Sequence, residues 1–312
     1  MPTQPSPHPR PEVERDLLAE LAARWGRRAV VKKDELDLDG HYDPELPDFP
    51  GHLVPPLELP GAQSLDDEAR RRLLAAAWIS YNAKTAAVEN RIVLPACRLM
   101  LQPRIPVRHD EAVSAALQQT IIDEHYHILM CDNAVGVTRR RRGLQELAFD
   151  PGGWAVIRGL EEYLSGVTGP ARDLAQIGFA LAAETTISGY LSALARAEDI
   201  QPMNRITTDL HRRDENGHAV IFRELACSLY LGLGHAEREL FRNALATGLA
   251  AFYAADFDPW VLVAAAGGFE IEAGQLAELA AAKPVPARDT GALQALLRDL
   301  GISEASVMRP VG

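Results

Sequence analysis

Two runs of one form constrain this chain more than anything else in it. In IIDEHYHILM (121 to 130) and TTDLHRRDENGHAVIFRE (207 to 224), Asp123-Glu124-x-x-His127 matches Asp214-Glu215-x-x-His218 position for position. A helix advances about 100° per residue, so a Glu and a His three apart share a face, and His211, Glu215 and His218 fall within about 60° of one another. Each run therefore predicts a helix with metal-binding groups concentrated on one side.

A Glu-x-x-His pair from each of two helices, with one Glu from each of two more, builds a dinuclear carboxylate site inside a four-helix bundle. Two lone glutamates meet that need. Glu89 lies in AAAWISYNAKTAAVENRIVL and Glu184 in IGFALAAETTISGYLSAL, both otherwise rich in apolar residues. A carboxylate buried there is costly unless it is paired, and a metal removes the cost. A single ExxH is most often a solvated pair, but the order Glu, DExxH, Glu, DExxH argues against coincidence. The expected fold is all-α: a ferritin-like four-helix bundle with additional flanking helices. Glu124 and Glu215 are expected to bridge the metals and Glu89 and Glu184 to be terminal. His211 is placed with His218 on the ion that also takes Glu184. Asp123 and Asp214 read as acceptors, each holding an imidazole of the opposite run.

The 312 residues carry a net charge of -11, which argues against nucleic acid as the main partner. Hydrophobic residues make up 47%, enough for a substantial core. The three cysteines, Cys97, Cys131 and Cys227, are far apart and form neither a disulfide framework nor a CxxC motif. No signal peptide is legible, and no stretch reads as the ~18 apolar residues that would cross a bilayer. The chain is accordingly expected to be cytoplasmic, with no membrane partner. No GxGxxG or P-loop is present, so electrons for any redox chemistry must come from an external donor.

Residues 1 to 11 hold five prolines and read as a disordered N-terminus ahead of a single domain over 12 to 312. A first helix is expected over 12 to 25. Residues 42 to 61, with six prolines and interspersed apolar residues, suggest an ordered strap over the bundle. Bundle helices are expected from Ser64 or Asp66 to about 101, bent at Pro95, then over 109 to 136, 170 to 197 and 203 to 231. A crossover with a short helix at 154 to 165 separates the second from the third. Helices at 235 to 255, 258 to 266, 270 to 281 and 289 to 300 would pad the bundle or form a homodimer surface. The basic run Arg139 to Arg142 reads as a helix C-terminal cap or a solvated turn. Tyr81, Asn82, Lys84, Thr85, Gln118 and Ser188, with Thr185 and Phe252, are the candidates for the walls of a substrate pocket.

The segments WISYNAKTAAVEN, QQTIIDEHYH, AAETTIS and IQPMNRITTDLHRRDENGH, with their spacing, resemble the ferritin-like di-iron N-oxygenases, the family of the p-aminobenzoate N-oxygenase of aureothin biosynthesis. The resemblance runs from about residue 27 to 255. It implies seven metal ligands, Glu89, Glu124, His127, Glu184, His211, Glu215 and His218, holding two iron ions that use O2. It also implies a primary, often aryl, amine substrate oxidised to a hydroxylamine, nitroso or nitro product, as in antibiotic biosynthesis. Beside Glu89, Lys84 stands where the resemblance implies an arginine, and a lysine does not reproduce a bidentate contact with a carboxylate. A ferritin-like di-metal protein of another activity is the alternative, whether another O2-dependent oxidase or hydroxylase, a dimanganese catalase or an iron store, although a store needs far fewer residues.

Overall fold

The computed structural model describes residues 11–283 and 290–307, with side chains from residue 17. No strand occurs among the described residues, and the chain is an all-α, ferritin-like bundle. The expected disorder at the N-terminus lies outside them, except that Pro11 already opens helix α1, Pro11–Arg28. Helix α2, Asp67–Val88, starts where Asp66 Oδ1 accepts from Ala69 N at 2.8 Å. The side chain thereby satisfies one of the free amides of the first turn.

After α2 the helix does not simply bend at Pro95. It passes through a π turn, Glu89–Val93, in which the Leu94 amide reaches back five residues to Glu89 O, and continues as α3, Leu94–Met100. Pro95 has no N–H to offer the carbonyl four residues back. The Gln176 side-chain amide fills that gap by donating to Arg91 O at 3.2 Å and Ile92 O at 2.9 Å.

Helix α4, Glu111–Arg142, is longer than the expected 109 to 136. Gly136 sits within it, and the break comes at Gly143, whose φ of 65° suits a residue without Cβ. The basic run is the last turn of α4. Arg140 and Arg141 pair with Asp39, while Arg142 Nε donates to buried Asp48 at 2.8 Å. Asn204 Nδ2 donates to Asp48 O at 2.7 Å, and Gln201 N to Pro47 O at 2.8 Å. The proline-rich segment is thus an ordered strap of short 3-10 turns tied to two bundle helices.

Helices α5, Ala155–Ser165, α6, Pro170–Ala195, and α7, Pro202–Gly232, follow as expected within a few residues. Beyond them lie α8, His235–Tyr253, α9, Phe257–Ala266, α10, Ala273–Ala281, α11, Gly291–Leu300, and α12, Glu304–Val307. In the bundle α2 packs on α4, α6 on α7, and α4 crosses to α7, while α8 covers the outside of α6. Gly178 and Gly248 let α6 and α8 approach closely, because a Cβ on Gly178 would lie 2.9 Å from Ala244 Cβ and one on Gly248 3.0 Å from Phe179 Cα.

Contrary to the sequence expectation, two stretches are long and apolar enough to cross a membrane, α6 and the α8–α9 run His235–Ala266. The apolarity of α6 belongs to the bundle core, where most of it is buried around Glu184. Asp256, Asp258 and Pro259 interrupt the other.

Candidate metal centre and its cavity

All seven candidate ligands are buried in the middle of the bundle. Glu89 is delivered by the first residue of the π turn, Glu124 and His127 by α4, Glu184 by α6, and His211, Glu215 and His218 by α7. Beside Glu184, Thr185 Oγ1 donates to Leu181 O and Thr186 Oγ1 to Ala182 O, each at 2.6 Å. Such bonds satisfy hydroxyls in an apolar helix without recruiting another chain segment.

One ligand atom from each of Glu89, Glu124, His127, His211 and Glu215 lies within 4.8 Å of every other in that group, and Glu124, Glu184 and His218 form a second group of the same kind. Glu124 belongs to both. Its Oε2 is 2.9 Å from His127 Nδ1 and its Oε1 2.9 Å from His218 Nδ1. Glu215 Oε1 stands 3.3 Å from both His127 Nδ1 and His218 Nδ1, and 3.2 Å from His211 Nε2. The two glutamates of the DExxH runs therefore lie between the groups. His211 does not join His218 and Glu184 as the sequence reading had it. Seven residues of helix rise, about 10.5 Å, separate His211 from His218, and that rise carries His211 to the side of Glu89, 3.5 Å from Glu89 Oε1.

The distal imidazole nitrogens meet the two aspartates reciprocally. His127 Nε2 donates to Asp214 Oδ2 at 3.3 Å and His218 Nε2 to Asp123 Oδ2 at 3.2 Å. A proton held on each Nε2 leaves Nδ1 with a lone pair aimed at the glutamates. Both aspartates are held in turn by residues that sequence reasoning missed. Trp25 Nε1 donates to Asp123 Oδ1 at 2.9 Å, Val30 N to Asp214 Oδ2 at 3.2 Å, and Arg28 reaches Asp214 at 3.4 Å. Gly217 makes room for Arg28, since a Cβ there would lie 2.6 Å from Nη1. Trp25 and Arg28 are about a hundred residues or more from their partners, and no local pattern marks such a contact.

The electrostatics describe a site built for cations. Burial first, then the neighbouring carboxylates, push Glu89 and Glu184 well above the usual carboxylate range. Burial and Glu215 act in the same direction on Glu124, yet His218 and His127 outweigh them and bring it down to about 2. Burial disfavours a charged His127 or His218, but Glu124 and the other acidic partners overcome it and raise both well above the ordinary imidazole range. Among the described residues, Glu89 Oε2, Glu124 Oε1, Glu184 Oε2 and His211 Nε2 are buried without a hydrogen bond. Buried acceptors are rarely left so. Three carboxylates and one imidazole with unspent lone pairs, within a cluster of four carboxylates and three imidazoles, fit a pair of divalent ions, and the oxygen and nitrogen donor set suits non-haem iron.

A cavity of about 680 Å³ opens onto the cluster, with Glu89, Glu184 and Glu215 in its lining. Its walls include Tyr81, Lys84, Thr85 and Phe252, as the sequence suggested, together with Phe49 and Trp260, which it did not. Asn82, Gln118, Ser188 and Thr185 are not among the lining residues. Asn82 turns to donate to Trp78 O at 2.8 Å, and Thr185 is spent on Leu181 O. Gln118 is exposed, six residues and so about 120° around α4 from Glu124. Ser188 lies about 160° around α6 from Tyr190, which does face the cavity.

Comparison with known proteins agrees with this centre. The 4-aminobenzoate N-oxygenase of Streptomyces thioluteus is 33% identical over 294 residues, which cover 92% of this chain and 87% of that protein. The family model described as P-aminobenzoate N-oxygenase AurF matches residues 11–301, spanning the strap, all seven cluster residues and both aspartates. The chain belongs to the AurF p-aminobenzoate N-oxygenase family.

Proposed function

We propose that this N-oxygenase is a di-iron enzyme that oxidises the nitrogen of a primary aryl amine with O2 and electrons from an external donor. The observation that carries the reading is an apolar cavity of about 680 Å³ ending on three carboxylates of a buried carboxylate and imidazole cluster. An organic substrate is thereby given access to the metal position. That volume lies in the range of drug-sized ligand sites, so it has room for more than one aromatic ring.

Glu89, His127 and His211 would hold one ion, Glu184 and His218 the other, with Glu124 and Glu215 shared. When bound, the pair of ions supplies O2 activation. The chain's own residues do the rest. Asp123 and Asp214 hold the imidazoles in one tautomer, so that Nδ1 of His127 and His218 faces inward. Phe49, Val88, Val93 and Ile187 line the approach with apolar surface that keeps water from the amine. Burial pushes the Tyr81 hydroxyl well above its usual range, so it stays a neutral phenol beside the cavity.

The test is anaerobic iron loading, reduction, exposure to O2 with a panel of aryl and alkyl amines, and mass analysis for added oxygen. Two irons per chain and oxygen gained by aryl amines support the reading. A stable content of one iron, a firm preference for zinc, or oxygenation of alkyl amines alone would overturn it.

A further inference from the structure

Five residues along the helix from Glu89, about 7.5 Å of rise, the cavity carries its own anion. Lys84 Nζ lies 2.6 Å from Asp256 Oδ2, and Lys84 is the one cationic side chain among the described lining residues. The Asp256 side chain is 8% exposed, and its second oxygen accepts from Ala155 N at 2.6 Å. Ala155 is the first residue of α5, and Asp256 itself precedes the first residue of α9. The N-terminus of α5 and an ammonium therefore converge on this carboxylate, which makes no cap bond to α9, and such a pairing can also bind a carboxylate ligand when the protein lacks one of its own. Here the position is filled by the chain. A substrate carboxylate that reached Lys84 would have to share its ammonium with Asp256 and place a second negative charge beside that aspartate.

We propose that the substrate's end remote from the amine is uncharged, and that the Lys84–Asp256 pair excludes aminobenzoate-type anions from this cavity. The inference rests on the aryl-amine reading for the position of the amine, but not for the charge preference, which any aromatic ring can report. Rim contacts with Phe252, whose ring centre is 5.8 Å from Lys84 Nζ, leave apolar and aromatic surface to receive a neutral group.

The experiment is anaerobic titration calorimetry on the iron-loaded protein with matched pairs, 4-aminobenzoate against 4-aminobenzamide and benzoate against benzamide. The neutral member of each pair should bind at least about tenfold more tightly, the discrimination expected when an anion must share an ammonium that a carboxylate already neutralises. Asp256→Asn should strengthen binding of both anions by about tenfold or more with little change for the amides, and Lys84→Met added to it should remove the gain. The proposal is overturned if the wild-type protein binds the anions as tightly as the amides, if neither member of either pair binds, or if Asp256→Asn leaves the preference unchanged. Should Asp256→Asn not fold, the wild-type pairs alone decide. Failure of the aryl-amine reading would show differently, as tighter binding of benzamide than benzoate without oxidation of any amine.

Discussion

The Nε2–H of His218, on one DExxH run, donates to Asp123 of the other at 3.2 Å, and His127 returns the contact to Asp214. Each run thus orients the imidazole of its counterpart, and the contact depends on an acceptor oxygen at both aspartate positions. Asp123→Asn should keep the bundle intact and weaken iron binding by about 10–100-fold, as removal of a ligand's outer hydrogen-bond partner commonly does. Competition with a calibrated chelator reads the affinity. Trp25→Phe should move it in the same direction by less, because it removes only the group that steadies Asp123.

In the proposed di-iron centre, His211 would decide how the two ions are partitioned. In His211→Ala the group containing Glu184 and His218 keeps its donors, whereas the Glu89 and His127 group loses one. Iron titration should resolve one ion bound as in the wild type and one at least about tenfold weaker. Circular dichroism should remain helical. Two ions of undiminished affinity, with amine oxidation unchanged, would contradict a ligand role for His211.

The close contact of α6 with α8 carries a stability prediction. Gly178→Ala and Gly248→Ala each drive a methyl into backbone or short side chains, not into the end of a flexible one. Each should cost about 1–3 kcal/mol in urea unfolding of the metal-free protein. Gly217→Ala meets only the tip of Arg28 and should cost less, while still loosening Asp214.

Asp48 gives the strap a pH dependence. Burial pushes its carboxyl from 3.8 up to about 6 despite Arg142 and Thr138, so the folded chain holds this proton more tightly than the unfolded chain does. Its contribution is full below the unfolded value and is lost as pH rises through about 6, a swing on the order of 3 kcal/mol. Unfolding of the wild type and of Asp48→Asn, followed from about pH 4 to 7, should show the wild type losing ground as pH rises. A difference that is flat or grows would contradict it.

The sequence carries the bundle and its centre well, because both rest on helical repetition. Glu124 with His127, and Glu215 with His218, are three apart, and that spacing alone puts each pair on one face. The reach of His211 toward Glu89 was misread, since angle around a helix was weighed more heavily than distance along it. Asn82 and Ser188 were misassigned because a helical face is broad, and which part of it meets a cavity is set by neighbouring helices. Asp256 and Trp25 could not be found at all. Their partners lie on other elements, and nothing near them in the chain depends on the contact. The length of α4 was underestimated at Gly136, where packing and the Arg142 anchor outweigh the roughly 1 kcal/mol that a helical glycine costs.

The π turn at Glu89 divides one continuous helix into two reading frames. Such a turn holds one residue more than the α turn it replaces, so everything after it is offset by about 100° from what the preceding turns would dictate. Upstream, the frame is set by Trp78, Tyr81 and Thr85, and downstream by Ile92, Cys97 and Met100, which are buried against the core. Neither set can be aligned with the other on a single helical wheel. Loss of one residue, for example exposed Asn90, would merge the frames. Both core sets would then keep their faces on one regular helix, and the change would fall on the backbone at Glu89, whose Oε1 the π turn sets 3.5 Å from His211 Nε2. A length change too small to notice in a surface loop would therefore act on the cluster at this position while sparing the core.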